Sequence, residues 1–330
     1  MMNQSTIARA GIGLLILAVL FPMAYGDTYF LSVGVLALLY AYLALSWNIL
    51  GGIAGQLSLG HAAYFGIGAY TSTWLFANLG LTPWLGMFAG AALAIVAAVV
   101  IGAASFKLRG AYYALATLAA AMVLKNLVEN ADTLLAGSRG MDVPLMRDAV
   151  LYFQHTSKYF YYVIAMGMVV IAGYLNWSIL RSRMGFYLTA IRNDQEAAEA
   201  LGVRVTRYKL YAAMLSAALT AIGGTFYAQY VLFISPDKVF GADISIVIAV
   251  ICIIGGRGTL WGPILGAALL LPAEDIARHV TGGLVGADML LYGILLMVVI
   301  RVEPQGLLVI LSRLFGGKSK TAPKLAEAKQ

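Results

Sequence analysis

Apolar residues run along this chain in long stretches, separated by short polar or glycine-rich breaks. Ten such stretches stand out, at about residues 7–23, 28–50, 57–77, 84–106, 111–128, 159–180, 208–230, 243–254, 262–277 and 287–300. A helix needs about 20 apolar residues to cross a bilayer core, and most of these stretches approach or exceed that length. The eighth and ninth are shorter. They flank Gly255-Gly256-Arg257-Gly258-Thr259-Leu260-Trp261-Gly262, whose four glycines do not sustain a helix interior. A similar segment lies earlier, at Gly51-Gly52-Ile53-Ala54-Gly55-Gln56-Leu57-Ser58-Leu59-Gly60-His61. It reads as a broken helix or loop, either re-entrant or within a kinked crossing. Non-helical backbone at membrane depth survives only where protein or water surrounds it. Paired glycine-interrupted segments point to an internal repeat around a transport path. Gly55, Gln56, Ser58, Gly60, His61, Gly255, Gly256 and Gly258 are therefore the candidate pathway residues. Gln56 and Ser58 fit either of two roles, as partners of the broken backbone or as substrate contacts. His61 reads as a packed, hydrogen-bonded histidine, because a proton relay needs further ionisable groups in the membrane and the first four crossings hold almost none. Gly66 and Gly68 read as points of close helix approach.

Composition turns this pattern into a class. The 330 residues are 61% hydrophobic and 11% charged, with a mean hydropathy of +0.85. A soluble domain carries about 25% charge, and a disordered chain is too polar to collapse. What remains is an all-α polytopic membrane protein of about ten transmembrane elements. The formal charge of +7 is explained by position, without nucleic acid. With the N-terminus cytoplasmic, the inside segments hold Arg9, Lys107, Arg109, Arg181, Arg183, Arg192, Arg204, Arg207, Lys209, Arg257, Arg301, Arg313, Lys318, Lys320, Lys324 and Lys329. These are sixteen of the 22 basic residues. Lys125, Arg139, Arg147, Lys158, Lys238 and Arg278 are the remainder. The positive-inside rule thus puts both termini in the cytoplasm. Residues 1–315 form the membrane domain, with a basic inside loop at 181–209, and 316–330 read as a disordered basic tail. The N-terminal stretch has no convincing cleavage site and reads as a retained helix. Cys252 is the single cysteine, so no intramolecular disulfide forms.

The strongest local signal lies in the basic loop, at Asn193-Asp194-Gln195-Glu196-Ala197-Ala198-Glu199-Ala200-Leu201-Gly202. Asn193 suits an N-cap, and Glu196 three residues later completes a capping box. Asp194 and Glu196 suit the positive end of the helix dipole. Gly202 suits the C′ position with positive φ. The pattern predicts a helix of about eight residues, too short to stand alone. On these grounds it reads equally as a rigid knob for another protein's groove or as an ordinary solvated loop helix.

Several motifs are familiar. Glu196-Ala197-Ala198 followed by Gly202 resembles the EAA loop of ATP-binding-cassette importer permeases, with only the first half of that motif's spacing kept. Gly55-Gln56-Leu57-Ser58-Leu59-Gly60-His61-Ala62-Ala63, residues 109–118, Gly137-Ser138-Arg139-Gly140-Met141 and residues 254–263 resemble the LivM-type permeases of branched-chain amino acid importers. Together these span about residues 30–310. The resemblance implies a multi-pass protein of the bacterial cytoplasmic (inner) membrane that moves Leu, Ile or Val inward. It implies two ATPase subunits bound below, a LivH-type second permease, and a periplasmic or extracytoplasmic binding protein. The coupling helix would comprise Asn193, Asp194, Glu196, Ala197, Ala198, Leu201 and Gly202. Relatives that move urea, amides or other amino acids leave the substrate as its weakest implication.

No cofactor is expected on this chain, and ATP and Mg would sit on the partners. Gly317-Lys318-Ser319 ends like a phosphate-binding loop, but Ser312 stands where the first glycine of G-x-x-x-x-G-K-[ST] belongs. Lys125 and Glu129 read as an interfacial i,i+4 pair. Glu274, Asp275, Arg278 and His279 read as a helix-end group with a Glu274–Arg278 ion pair, rather than as a metal site. An ion-coupled transporter would need intramembrane carboxylates, and a membrane enzyme would need clustered His, Asp or Glu. Neither set is found.

Overall fold

The computed structural model describes residues 28–146 and 150–280, with positions 293 and 297. The expected crossings at 7–23 and 287–300, the tail at 316–330 and Arg147 lie outside the described residues. Within them the chain is almost entirely helical, as apolar runs without charges require: in hydrocarbon every backbone N–H must find its carbonyl locally.

Helix α1 (Thr28–Trp47) continues into a π-helical turn, Asn48–Ile53. The wider turn falls on Gly51 and Gly52, and the Trp47 indole occupies the space a side chain at Gly51 would need. Residues 54–60 are irregular. Helix α2 (His61–Leu79) ends on Gly80 at φ 63°, and α3 (Pro83–Ser105) starts with Pro83 behind an N-cap, Thr82, whose Oγ1 accepts from Trp84 N at 3.2 Å. Then follow α4 (Ala111–Glu129), the short α5 (Asp132–Leu135), α6 (Lys158–Arg181), α7 (Arg183–Asn193), α8 (Gln195–Ala200) and α9 (Val205–Val231). The chain continues with α10 (Pro236–Phe240), α11 (Ala242–Gly256) and α12 (Gly262–Val280). Among the described residues, six segments are long and apolar enough to cross a membrane, and they include α1, α3, α4, α6, α9 and α10–α11. The protein is a multi-pass helical membrane protein.

Helix α9 is central. It packs along α2 and α3 and touches α1, and α6 and α12 also pack on α1. The close α2–α9 approach rests on small residues. A side chain at Gly68 would collide with the backbone of Ala221, and one at Gly224 with the carbonyl of Phe65. Thr225 Oγ1 donates to Gly68 O at 3.1 Å across the same contact. The packing expected of Gly68 is what the fold uses it for, and Gly66 lies against the Phe240 ring. Large apolar residues of α3 and α4, among them Phe88, Val100, Leu115 and Leu127, are exposed. An open apolar groove of about 910 Å³ between these helices suits a hydrocarbon surrounding.

Cross-contacts sort the loops to two ends. Arg109 meets Glu196 and Arg192 meets Gly52 at the basic end. At the opposite end Lys125 Nζ lies 2.5 Å from Asp237 and 3.5 Å from Glu129, Lys158 Nζ donates to Ser32 Oγ at 2.5 Å, and Trp84 Nε1 donates to Val150 O at 3.0 Å. The expected Lys125–Glu129 pair is thus present, extended by Asp237 from α10. A two-residue antiparallel ribbon, not foreseen from the sequence, pairs Met141 with Ile234 and Asp142 with Phe233 at this end. Phe153 beside it is buried against Trp84, Phe226 and Tyr161. Asp275 accepts from the Tyr29 hydroxyl, and the side chains of Arg278 and His279 lie outside the described residues.

Candidate functional site

The basic end carries two features that meet. The first is the short helix α8. Its N-cap is Asp194, not the expected Asn193: φ −154° and ψ 109° take Asp194 out of the helical region, and its Oδ1 accepts from Glu196 N at 2.9 Å and Ala197 N at 3.0 Å. Asn193 instead ends α7, a helix that the sequence pattern does not predict. Ser182 caps α7 by accepting from Gly185 N at 3.2 Å, and that serine was the missed signal. With the cap moved by one residue, α8 has six residues rather than about eight. Its far end behaves as predicted. Gly202 sits at φ 84°, its N–H reaches Glu199 O at 2.9 Å, and Val203 N reaches Ala198 O at 3.1 Å. This is a Schellman closure, with Val203 packed near buried Ala198.

Three attachments hold α8. Arg109 Nη1 contacts Glu196 Oε1 at 2.7 Å, so Glu196 reaches across to another loop instead of back to the cap. That contact raises the Arg109 guanidinium above its ordinary pKa. Lys209 is buried in the first turns of α9 and donates to Gln195 Oε1 at 2.7 Å. Ile191, Ala198 and Val205 form a small apolar core joining α7, α8 and α9. Leu201 projects outward, 86% exposed. A cavity of about 450 Å³ opens beside it, lined by Leu201, Gly202, Arg204, Arg207, Tyr208 and Tyr211 among others.

The second feature is the meeting of the two glycine segments. Asn48, fully buried, joins them. Its Oδ1 accepts from Gly258 N at 2.7 Å and from Cys252 Sγ at 3.3 Å; its Nδ2 donates to Thr259 O at 2.9 Å and Asn176 Oδ1 at 3.0 Å. A β-carbon on Gly52 would lie 2.6 Å from Gly258 N, so only glycine admits this approach. Gly55 (φ 70°), Gly256 (φ 126°) and Gly258 (φ 75°) hold left-handed backbone. A side chain at Gly255 would strike the carbonyl of Gly262. Asn48 was missed by sequence reasoning, although an asparagine inside an apolar run must be paired.

The irregular stretch 54–60 is bonded to its surroundings: Ala54, Ser58 and Gly60 are buried, Gln56, Leu57 and Leu59 half-buried, and Gly55 exposed. Gln56 contributes its N–H to Leu50 O at 3.0 Å. Ser58 Oγ accepts from Gly60 N at 3.3 Å, and its carbonyl accepts from Trp47 Nε1 at 2.8 Å. Thr117 Oγ1 accepts from Leu59 N at 3.0 Å, and Gly60 backs onto the Thr117 carbonyl. His61 Nε2 lies 2.8 Å from Ser216 Oγ, whose own proton goes to Ser46 O at 2.7 Å. Nε2 therefore carries the imidazole proton. Trp47 and Tyr64 flank the ring, which fits a packed histidine. Among the described residues no three His, Cys, Asp or Glu side chains converge as metal ligands.

Comparison with known proteins gives one family. The profile described as "Branched-chain amino acid transport system / permease component" matches residues 29–300. The chain is similar to the high-affinity branched-chain amino acid transport system permease protein LivM of Escherichia coli, 29% identical over 90% of this chain and 74% of the relative. It is also similar to the corresponding LivH protein of that organism, 27% identical over 72% of this chain and 81% of the relative. A fructose import permease protein, FrcC of Rhizobium meliloti, matches a shorter part, 30% identical over 43% of this chain and 40% of its own. No solved structure matches.

Proposed function

This chain belongs to the family of permease components of branched-chain amino acid transport systems, and on that premise we propose that it is the LivM-type membrane subunit of an ATP-driven importer of leucine, isoleucine and valine. It sits in a bacterial inner membrane with both termini cytoplasmic and pairs with a LivH-type permease. Two ATPase subunits carry the ATP and Mg, and an extracytoplasmic binding protein delivers the amino acid. The likeness to both LivM and LivH supports a permease pair, and the longer match to LivM supports its place in that pair.

The observation that carries the ATPase contact is the build of α8. A helix of six residues is unstable alone, yet this one is capped, closed and fastened to three neighbours while Leu201 is left outward. Such an element suits docking better than solvation. Closure of the ATPase pair would carry α8 as a rigid lever, and α9, which follows it, and α6, joined to it through α7, would shift with it. The path between the permeases would open outward and then inward. Few charges line its crossings, so affinity comes from the binding protein and work from ATP.

Glu196→Lys combined with Leu201→Asp is expected to abolish recovery of the ATPases in a pull-down from membranes; undiminished recovery sinks the docking claim. Uptake of labelled leucine should fail on ATP depletion and survive a protonophore, and the reverse would mark an ion-coupled transporter. Competition by isoleucine and valine, but not by urea, amides or fructose, is expected to fix the substrate class.

A further inference from the structure

Arg192 stands between α8 and the glycine segments. It lies in the last turn of α7, and a single extended residue, Asp194, separates α7 from α8. Ile191, Ala198 and Val205 pack α7, α8 and the start of α9 into one unit, so a displacement of α8 is delivered to Arg192 with little slack. From there one side chain reaches both broken segments. Arg192 Nη1 donates to Gly52 O at 3.0 Å, at the carbonyl end of the π turn, where a cation is favoured. Its stem covers Gly55: a β-carbon there would lie 2.5 Å from Arg192 Cγ and 3.0 Å from its Cβ. The same guanidinium occupies the space a side chain on Gly258 would take. Gly55 and Gly258 are thus glycine both for their positive φ and because Arg192 fills their side-chain space.

We propose that Arg192 is the positioning residue through which movement of the coupling helix reaches both glycine segments, tying ATP hydrolysis to substrate movement. The proposal rests on reading α8 as the ATPase-coupling helix. Arginine suits the place because its rigid guanidinium carries Nη1 to the Gly52 carbonyl while the same nitrogen fills the space over Gly258, whereas a lysine ends in a compact, mobile ammonium. Asn48 then keeps the two segments moving together, since it stands in the π turn of the first and its amide bonds to Gly258 and Thr259 of the second.

The test uses the full importer in liposomes, with binding protein and leucine, and reads ATPase retention, ATP hydrolysis, and leucine moved per ATP. Arg192→Ala is expected to keep its ATPases and to hydrolyse ATP at nearly the wild-type rate, while leucine moved per ATP falls about tenfold. Arg192→Lys, which keeps the stem over Gly55, is expected to lose about threefold. A wild-type ratio in either variant overturns the proposal. So does a proportional fall of hydrolysis and transport, which a merely structural role would produce. Glu196→Lys with Leu201→Asp run in parallel separates the two claims: if that variant still retains the ATPases, the coupling-helix reading is what fails.

Discussion

Asn48 uses every hydrogen-bonding position of its amide, two donated and two accepted, inside an apolar bundle. Truncating it strands a backbone N–H on Gly258 and a carbonyl on Thr259, each costing roughly 1–3 kcal/mol when buried. Asn48→Ala should therefore lower the melting midpoint of detergent-purified protein by several degrees; an unchanged midpoint would mean the glycine segments are held by something else. Asp194 is a smaller case. Asp194→Ala removes a cap worth about 1 kcal/mol, and the effect is local. Amide exchange at residues 195–200 should quicken while the bundle helices keep their protection. Asp194→Asn should behave like wild type, because the acceptor oxygen remains.

At the scale of elements, the α2–α9 contact is the most demanding. Gly68 faces the backbone of Ala221 so closely that any side chain forces the helices apart. Gly68→Val is expected to abolish accumulation of folded protein in membranes. Gly173 in α6 has open space where a side chain would go. Gly173→Ala should be neutral or stabilising by up to about 1 kcal/mol, since alanine suits a helix better. Normal yield from Gly68→Val would show that the two helices are not in contact as described. Both glycines look alike in the sequence, and only the partner helix distinguishes them. The end of α8 was legible because Gly202 and its Schellman bonds are local. Its start lies one residue later than the capping pattern predicts because α7 claims Asn193 and leaves the cap to Asp194.

At the scale of the molecule, the pattern of basic residues predicts sidedness, and labelling can test it directly. Cys252 is fully buried, so the native chain offers a low background. A cysteine at Glu199 should react with an impermeant maleimide only from the cytoplasmic face, and one at exposed Leu145 only from the other; the opposite result inverts the topology. Much of the architecture was determined by the sequence alone. Apolar runs in a nearly uncharged chain specify helices in a bilayer, because backbone polar groups there have no other partner. Gly202 and the acidic residues at 194 and 196 specified a short capped helix because cap and C′ bonds join residues only two to five positions apart. What the sequence left undecided is which breaks meet. That Asn48 binds Gly258, some two hundred residues away, that buried Lys209 reaches Gln195, and that Arg192 spans Gly52 and Gly258, were decided by helix packing. Contacts between distant segments depend on how side-chain volumes fit along whole helix faces, and no periodicity within one segment encodes that fit.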